Sequence, residues 1–254
     1  MLTVILAGGK GTRLLEETQF RPKALTKVGE KPILEHIMEG FQSQGYRDFL
    51  ILTGYKSEMI SEYFRKRQEV VSCKSEGACM TVDLPYARVR ILDTGEDTGS
   101  AARLRMAEPY LEHETFLLTY CDGLCSVEME DVIRFHRQRC GMVTLTAVRP
   151  EPRFGILEIA KDGRVNALRE KERKDAPLIN GGFMVMEPEI FEFLTDQMEQ
   201  LEKDVLVPLS ETGKLMAYYH DGFWQCMDTL QEKKYLCALW EKGNAPWINQ
   251  KKDR

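Results

Sequence analysis

Thr3-Val4-Ile5-Leu6-Ala7-Gly8-Gly9-Lys10-Gly11-Thr12-Arg13 is the stretch on which the fold turns. Five apolar or β-branched residues end abruptly at a glycine cluster, the pattern of a buried strand that feeds a loop. Without Cβ atoms, Gly8, Gly9 and Gly11 let main-chain amides approach a polyphosphate and form an anion nest. Arg13 can add a bidentate contact to phosphate oxygens. The spacing is not G-x-G-x-x-G, and no Lys-Ser/Thr pair closes the loop, so neither the dinucleotide fingerprint nor a P-loop is present. The plain alternative is a glycine-rich turn.

Outward from this loop, strands and helices alternate. Pro32 opens an amphipathic helix with Ile33, Leu34, Ile37, Met38 and Phe41 at helical spacing. Gly45 ends it, and residues 49–53 read as a second apolar strand. A helix is expected over 58–67, strands over 89–92 and 115–120, a helix over 101–107, a helix over 127–139 and a strand over 143–148. Residues 70–86 show no clear period. This alternation predicts an α/β fold: a doubly wound, mostly parallel, Rossmann-like sheet with helices on both faces. Beyond residue 150 the pattern changes. Strands over 155–160 and 165–168 flank Lys161-Asp162-Gly163-Arg164, a tight hairpin signal. A strand over 179–186, helices over 189–194 and 232–241 and a strand over 215–219 make a mixed C-terminal half that closes over the same cleft. No linker or repeat divides the 254 residues, so one domain is expected.

Composition excludes several classes. With 35 Lys and Arg against 40 Asp and Glu, the formal charge is -5, which argues against a nucleic-acid binder. No apolar run reaches about 18 residues and the N-terminus does not read as a signal peptide, so neither membrane insertion nor secretion is expected. The 7 cysteines contain no C-x-x-C pair. With the 4 dispersed histidines, they point to free thiols in a cytoplasmic protein rather than to a zinc site.

Two further signals carry chemistry. In Arg21-Pro22-Lys23-Ala24, proline fixes the backbone that presents Lys23, which could bridge two phosphates. A solvated turn is the simpler account of that pair taken alone. In Thr115-Phe116-Leu117-Leu118-Thr119-Tyr120-Cys121-Asp122-Gly123, a buried strand ends in a carboxylate at its carboxyl edge, where open α/β sheets bind ligands. Asp122 there suits Mg²⁺, which takes one or two carboxylates plus substrate phosphates; an Asp-Gly turn is the alternative.

These motifs, with Leu15-Glu16-Glu17-Thr18, Arg153-Phe154-Gly155, Ile179-Asn180-Gly181-Gly182-Phe183, Gly222-Phe223-Trp224-Gln225, Met227-Asp228-Thr229 and the tail Leu239-Trp240-Glu241-Lys242-Gly243 followed by Ala245-Pro246-Trp247, resemble the nucleotidylyltransferase superfamily that activates sugar 1-phosphates. Within it, the likeness is to the glucose-1-phosphate cytidylyltransferases and covers nearly the whole chain. The resemblance implies a single nucleotidyltransferase domain over 1–254, with a nucleotide-binding half over about 1–150 and a sugar-binding half over about 151–254. It implies transfer of a nucleotidyl group from CTP to a sugar 1-phosphate with release of pyrophosphate, Mg²⁺ as cofactor, and a homo-oligomer.

Carried over residue by residue, Leu6, Ala7, Gly8, Gly9, Gly11, Thr12, Thr98, Arg103 and Gly123 would bind the nucleotide. Arg13, Lys23 and Asp122 would be catalytic, and Asp122 with Asp228 would hold the metal. Glu170, Lys171, Asn180 and Gly181 would contact the sugar phosphate. Helix capping is the rival role for Asp228. Phe223, Trp224, Trp240 and Trp247 fit either a subunit interface or core packing. Thr98-Gly99-Ser100-Ala101-Ala102-Arg103 departs from the family's threonine, two glycines and arginine, and Glu172 stands where proline is usual. Another triphosphate, another sugar phosphate, and a non-catalytic nucleotide-binding subunit are the competing readings.

Overall fold

The computed structural model describes residues 1–151, 155–170 and 176–248. Its strands are β1 (Thr3–Ala7), β2 (Asp48–Thr53), β3 (Ser72–Glu76), β4 (Cys79–Leu84), β5 (Ala87–Asp93), β6 (Phe116–Tyr120), β7 (Gly123–Cys125), β8 (Val143–Val148), β9 (Ile156–Ile159), β10 (Val165–Arg169), β11 (Ile179–Met186), β12 (Leu215–Tyr219) and β13 (Trp224–Cys226). The main helices are α1 (Ile33–Ser43), α2 (Ser57–Arg65), α3 (Ser100–Ala107), α4 (Met129–Arg139) and α5 (Leu230–Glu241).

Nine strands form one sheet in the order β12-β8-β11-β6-β1-β2-β5-β4-β3. The pairings leave only β11 and β4 running against the other strands of that sheet, so it is mostly parallel, as the alternation implies. From β1 the chain winds one way through β2 to β5, then crosses back to place β6 on the other side of β1. The gap between the carboxyl ends of β1 and β6 is therefore a topological switch point, where such sheets open a crevice for ligands.

Both faces of the sheet are covered, which is why β1 is buried throughout and apolar from Val4 to Ala7. Ile5 and Ala7 face the core formed with α1, α2 and α4. Val4 and Leu6 face the opposite core, with α3 and the helical segments at Ile190–Phe193 and Leu201–Leu206. All five apolar residues expected on one face of α1 are buried.

Two findings go beyond the sequence reading. Residues 70–86 hold the β3–β4 hairpin, which extends the sheet by two antiparallel strands. Its outer strand, Ser72-Cys73-Lys74-Ser75-Glu76, is polar and mostly exposed, as befits a sheet edge kept from pairing with another chain. Elsewhere, β7 and β13 form a small antiparallel ribbon beside the switch point. The hairpin expected around Asp162-Gly163 is present as β9–β10, with Gly163 at φ 87°. Phe223, Trp224 and Trp240 pack partly buried against the α1-side core, and Trp247 is buried within it. Among the described residues, no helix is long and apolar enough to cross a membrane.

Candidate active site

The loop after β1 is held from below by one buried side chain. Arg103, on α3, donates from Nη1 to the carbonyls of Thr53 and Gly95, each at 2.7 Å, and to the Thr94 hydroxyl. Its Nη2 reaches the carbonyls of Gly8 and Glu96, each at 3.1 Å. One guanidinium thus ties together the carboxyl ends of β1, β2 and β5. Gly8 and Gly54 must be glycines because a Cβ on either would enter that guanidinium. Arg103 is 4% exposed and donates five hydrogen bonds to the protein, so it shapes the loop. Gly11 takes φ +62°, and a Cβ there would meet Thr18 Cγ2 at 2.7 Å.

The charged centre lies at the seam between β1 and β6. Lys23 follows Pro22, whose extended backbone (φ −64°, ψ 149°) starts a 3₁₀ turn over Lys23–Leu25. Its ammonium is 2.7 Å from Asp122 Oδ2 and 2.5 Å from Asp228 Oδ1. Arg13 Nη1 is 2.6 Å from the other oxygen of Asp228. Burial alone would lower the Lys23 pKa; the two carboxylates, by charge and hydrogen bond, overcome this and hold it above its ordinary value. The amine is therefore a fixed cation that keeps two like charges side by side.

The ribbon explains how Asp122 and Asp228 meet from positions so distant in sequence. Gly123 pairs with Cys226, and Met227 N donates to Asp122 O at 2.8 Å, so each aspartate stands beside the same end of the ladder. The capping alternative for Asp228 fails on geometry. Thr229 is the N-cap of α5, with Glu232 completing a capping box, and Asp228 only donates its main-chain N–H to Glu232 at 2.8 Å.

Two cavities meet at this seam, sharing Arg13, Tyr120 and Asp122. The larger, about 690 Å³, is lined by Leu6, Gly8, Gly9, Gly11, Thr12, Thr98 and Arg103. Ala7 lies buried at the end of β1 beside it, and Thr98 Oγ1 turns back to the Thr94 carbonyl at 2.5 Å. The smaller, about 580 Å³, is lined by Asn180, Gly181 and Asp228, and also by Gly123, which was expected on the nucleotide side. Glu170 is exposed and lines neither cavity. Lys171, Arg153 and Phe154 fall outside the described residues.

Trp224, read from the sequence as core or interface, donates from Nε1 to Gly181 O at 2.8 Å on the smaller cavity's wall. Several residues were not assigned a site role from the sequence. Tyr120 sits between the cavities. Lys10 pairs with Glu96 and Asp97 at 3.3 and 2.9 Å across the mouth of the larger. Glu199 O accepts from Ala101 N at 2.9 Å and Glu199 Oε2 from Gly99 N at 3.1 Å, which closes the larger cavity's far side. Tyr120 carried a signal, as it precedes Cys121-Asp122 at a strand end; Glu199 carried none. Thiol chemistry is disfavoured: burial pushes Cys121 and Cys226, which line the two cavities, up to about 12.

A switch-point crevice with a glycine loop, a lysine and two convergent aspartates is the arrangement of a nucleotidyl transferase, and the chain belongs to that family, whose model matches residues 2–237. Among its relatives, the glucose-1-phosphate cytidylyltransferase of Salmonella typhimurium is 41% identical over 257 residues, covering 97% of this chain and 98% of the relative. The probable glucose-1-phosphate cytidylyltransferase of Bacillus subtilis is 38% identical over 253 residues, covering 97% and 99%. In fold, the chain matches the crystal structure of HddC from Yersinia pseudotuberculosis with a TM-score of 0.72 at 23% identity, over 94% of this chain and 99% of that one.

Proposed function

We propose that this chain transfers the cytidylyl group of CTP to glucose 1-phosphate, giving CDP-glucose and pyrophosphate. The observation that carries the reading is the Lys23 ammonium bridging Asp122 and Asp228 where the two cavities join. On this reading the larger cavity takes the nucleotide and the smaller takes the sugar phosphate. The relatives' names support the substrate pair.

The reaction is an in-line displacement. An oxygen of the sugar phosphate forms a bond to the α-phosphorus of CTP. The bond from that phosphorus to the bridging oxygen breaks, and its electron pair leaves with pyrophosphate. The nucleophile is already ionised near neutral pH, so no general base or covalent intermediate is needed. What remains is alignment and charge neutralisation. Arg13 and Lys23 bring positive charge to the seam where two anions must meet, and Gly8, Gly9 and Gly11 keep the approach free of side chains.

The donor set also fits a hard divalent cation. Two carboxylate oxygens converge on one cationic nitrogen, and a magnesium site asks for one or two carboxylates completed by substrate phosphates. Asp122 and Asp228 would hold Mg²⁺, which when bound supplies Lewis-acid polarisation of phosphoryl oxygens. The family resemblance further supports one working unit made of both halves of the chain, in a cytoplasmic homo-oligomer, whose mass light scattering would measure.

The test is pyrophosphate release with Mg²⁺, crossing CTP, UTP, dTTP, ATP and GTP with several sugar 1-phosphates. Release with CTP and glucose 1-phosphate above all others is expected. A different preferred pair would overturn the specificity, and silence in a folded, nucleotide-binding sample would overturn the chemistry.

A further inference from the structure

Glu202 brings a carboxylate to the wall of the smaller cavity. It stands on the π-helical turn Leu201–Leu206, whose Leu201, Val205 and Leu206 are buried in the α3-side core. Such turns commonly occur at functional sites, because the extra residue re-aims a side chain. The aim here is enforced by a chain of hydrogen bonds. Tyr120 Oη donates to Glu202 Oε1. Asn180 Nδ2 donates to Tyr120 Oη at 3.4 Å, and Asn180 Oδ1 accepts from Gly182 N at 2.9 Å. Gly182, at φ +89°, lets the main chain lie flat against the Tyr120 ring, where a Cβ would be 2.6 Å from a ring carbon.

The one proton of the Tyr120 hydroxyl is given to Glu202. The Glu202 carboxylate, when ionised, is acceptor-only with about four lone-pair directions. Among the described residues, Tyr120 is its one hydrogen-bond partner. A negative acceptor on this wall suits neutral hydroxyls and repels a second phosphate, so the cavity is polarised. The cavity thus borders the cationic seam of Arg13 and Lys23 and carries, beside Tyr120, an acceptor for hydroxyl protons.

We propose that Glu202 is a specificity-determining residue whose carboxylate accepts hydrogen bonds from sugar-ring hydroxyls, with Tyr120 and Asn180 as its positioning residues. The proposal rests on the reading of this cavity as the sugar-phosphate site, and it adds a residue that neither the motifs nor the family resemblance singled out. A solvated carboxylate on the rim would leave the same exposure, but it would not couple to any particular hydroxyl of the substrate.

The experiment is steady-state kinetics at saturating CTP with glucose 1-phosphate and its 2-, 3-, 4- and 6-deoxy analogues. It compares the wild type, Glu202→Ala, Glu202→Gln and Tyr120→Phe. The wild type should lose roughly 10- to 100-fold in kcat/KM for the analogue lacking the bonded hydroxyl, the range for a hydrogen bond to a charged group. Glu202→Ala should lose as much with the full sugar and little more with that analogue, with KM for CTP, measured by varying CTP at saturating glucose 1-phosphate, unchanged. Tyr120→Phe should lose less and keep the same ranking of analogues. Equal losses across all the sugars in Glu202→Ala, or wild-type selectivity in Glu202→Gln, would overturn the proposal; the isosteric Gln variant carries the comparison should the Ala variant not fold. Silence of the wild type with every sugar phosphate would instead overturn the underlying reading, and it would be seen before any variant is assayed.

Discussion

Around the larger cavity Gly8, Gly9, Gly11 and Gly99 bring main chain to the wall, and Arg103 clamps the loop from below. The smaller cavity is walled by side chains from distant elements: Tyr120 after the switch point, Asn180 on β11, Glu202 on the π-turn and Trp224 on β13. Main-chain walls recognise what all nucleoside triphosphates share, and they fail as a unit when the loop loosens. Side-chain walls can be retuned one residue at a time. The two should therefore respond differently to mutation, and each of the following variants tests that difference.

The largest effect belongs to the seam that serves both cavities. Asp122→Ala and Asp228→Ala should each cut turnover by roughly 10³-fold or more, the scale of a lost electrostatic contact to a transition state. Circular dichroism should show the fold retained. Near-normal pyrophosphate release by either variant would remove the aspartate pair from the mechanism.

Next in size is Arg103→Met, which leaves the carbonyls of Gly8, Thr53, Gly95 and Glu96 without this donor. The Gly8 and Thr53 carbonyls keep the Tyr55 and Thr94 amides, so the loss falls on Gly95 and Glu96, where an unsatisfied acceptor costs about 1–3 kcal/mol, less whatever water recovers. A drop in Tm of several degrees is expected, with KM for the nucleotide raised at least tenfold and KM for the sugar phosphate little changed. Equal rises in both would mean that the two walls are not independent.

Gly182→Ala probes the other wall. It places a Cβ against the Tyr120 ring at φ +89°, a conformation that costs an L-residue about 1–2 kcal/mol. The expected outcome is a several-fold rise in KM for the sugar phosphate, with nucleotide binding by calorimetry close to wild type. A nucleotide affinity that falls in parallel would show that Tyr120 belongs to both walls in function as well as in place.

The smallest effect is far from either mouth. Burial lowers the His36 pKa, against the hydrogen bond with the Val28 carbonyl, while Trp247 Nε1 donates to His36 Nδ1 at 3.3 Å. A depressed histidine binds fewer protons folded than unfolded. Its share of stability is thus intact above the ordinary value of 6.5 and is lost as pH falls below it. Tm should fall more between pH 7 and pH 5 in the wild type than in His36→Gln; identical slopes would remove His36 from the pH response.

The contrast between the walls also explains what was legible in the sequence. The main-chain wall follows from a contiguous stretch, Thr3 to Arg13, and α1 follows from its apolar spacing. Asp122 could be placed at a strand's carboxyl end from local pattern alone. Asp228 could not: its neighbours permit a helix cap, and only family resemblance paired it with Asp122. That Arg103 is buried among five acceptors leaves no trace in a linear motif. The β3–β4 hairpin escaped because its edge strand is polar throughout, and β7 and β13 because three-residue strands show no period. Glu202 lies in a run of charged and apolar residues, 195–214, in which the sequence marks no element.

The β7–β13 ribbon has a consequence for the timing of assembly. Asp122 emerges from a ribosome more than one hundred residues ahead of Asp228. At typical rates of synthesis, near 5–20 residues per second, roughly five to twenty seconds separate the two. Until Asp228 is made, only one of the two carboxylates that hold Lys23 exists in the chain. Every strand of the nine-stranded sheet precedes Trp224–Cys226, so the residues of the sheet are complete before those of the charged centre, which is assembled only when Trp224–Cys226 closes on Gly123–Cys125.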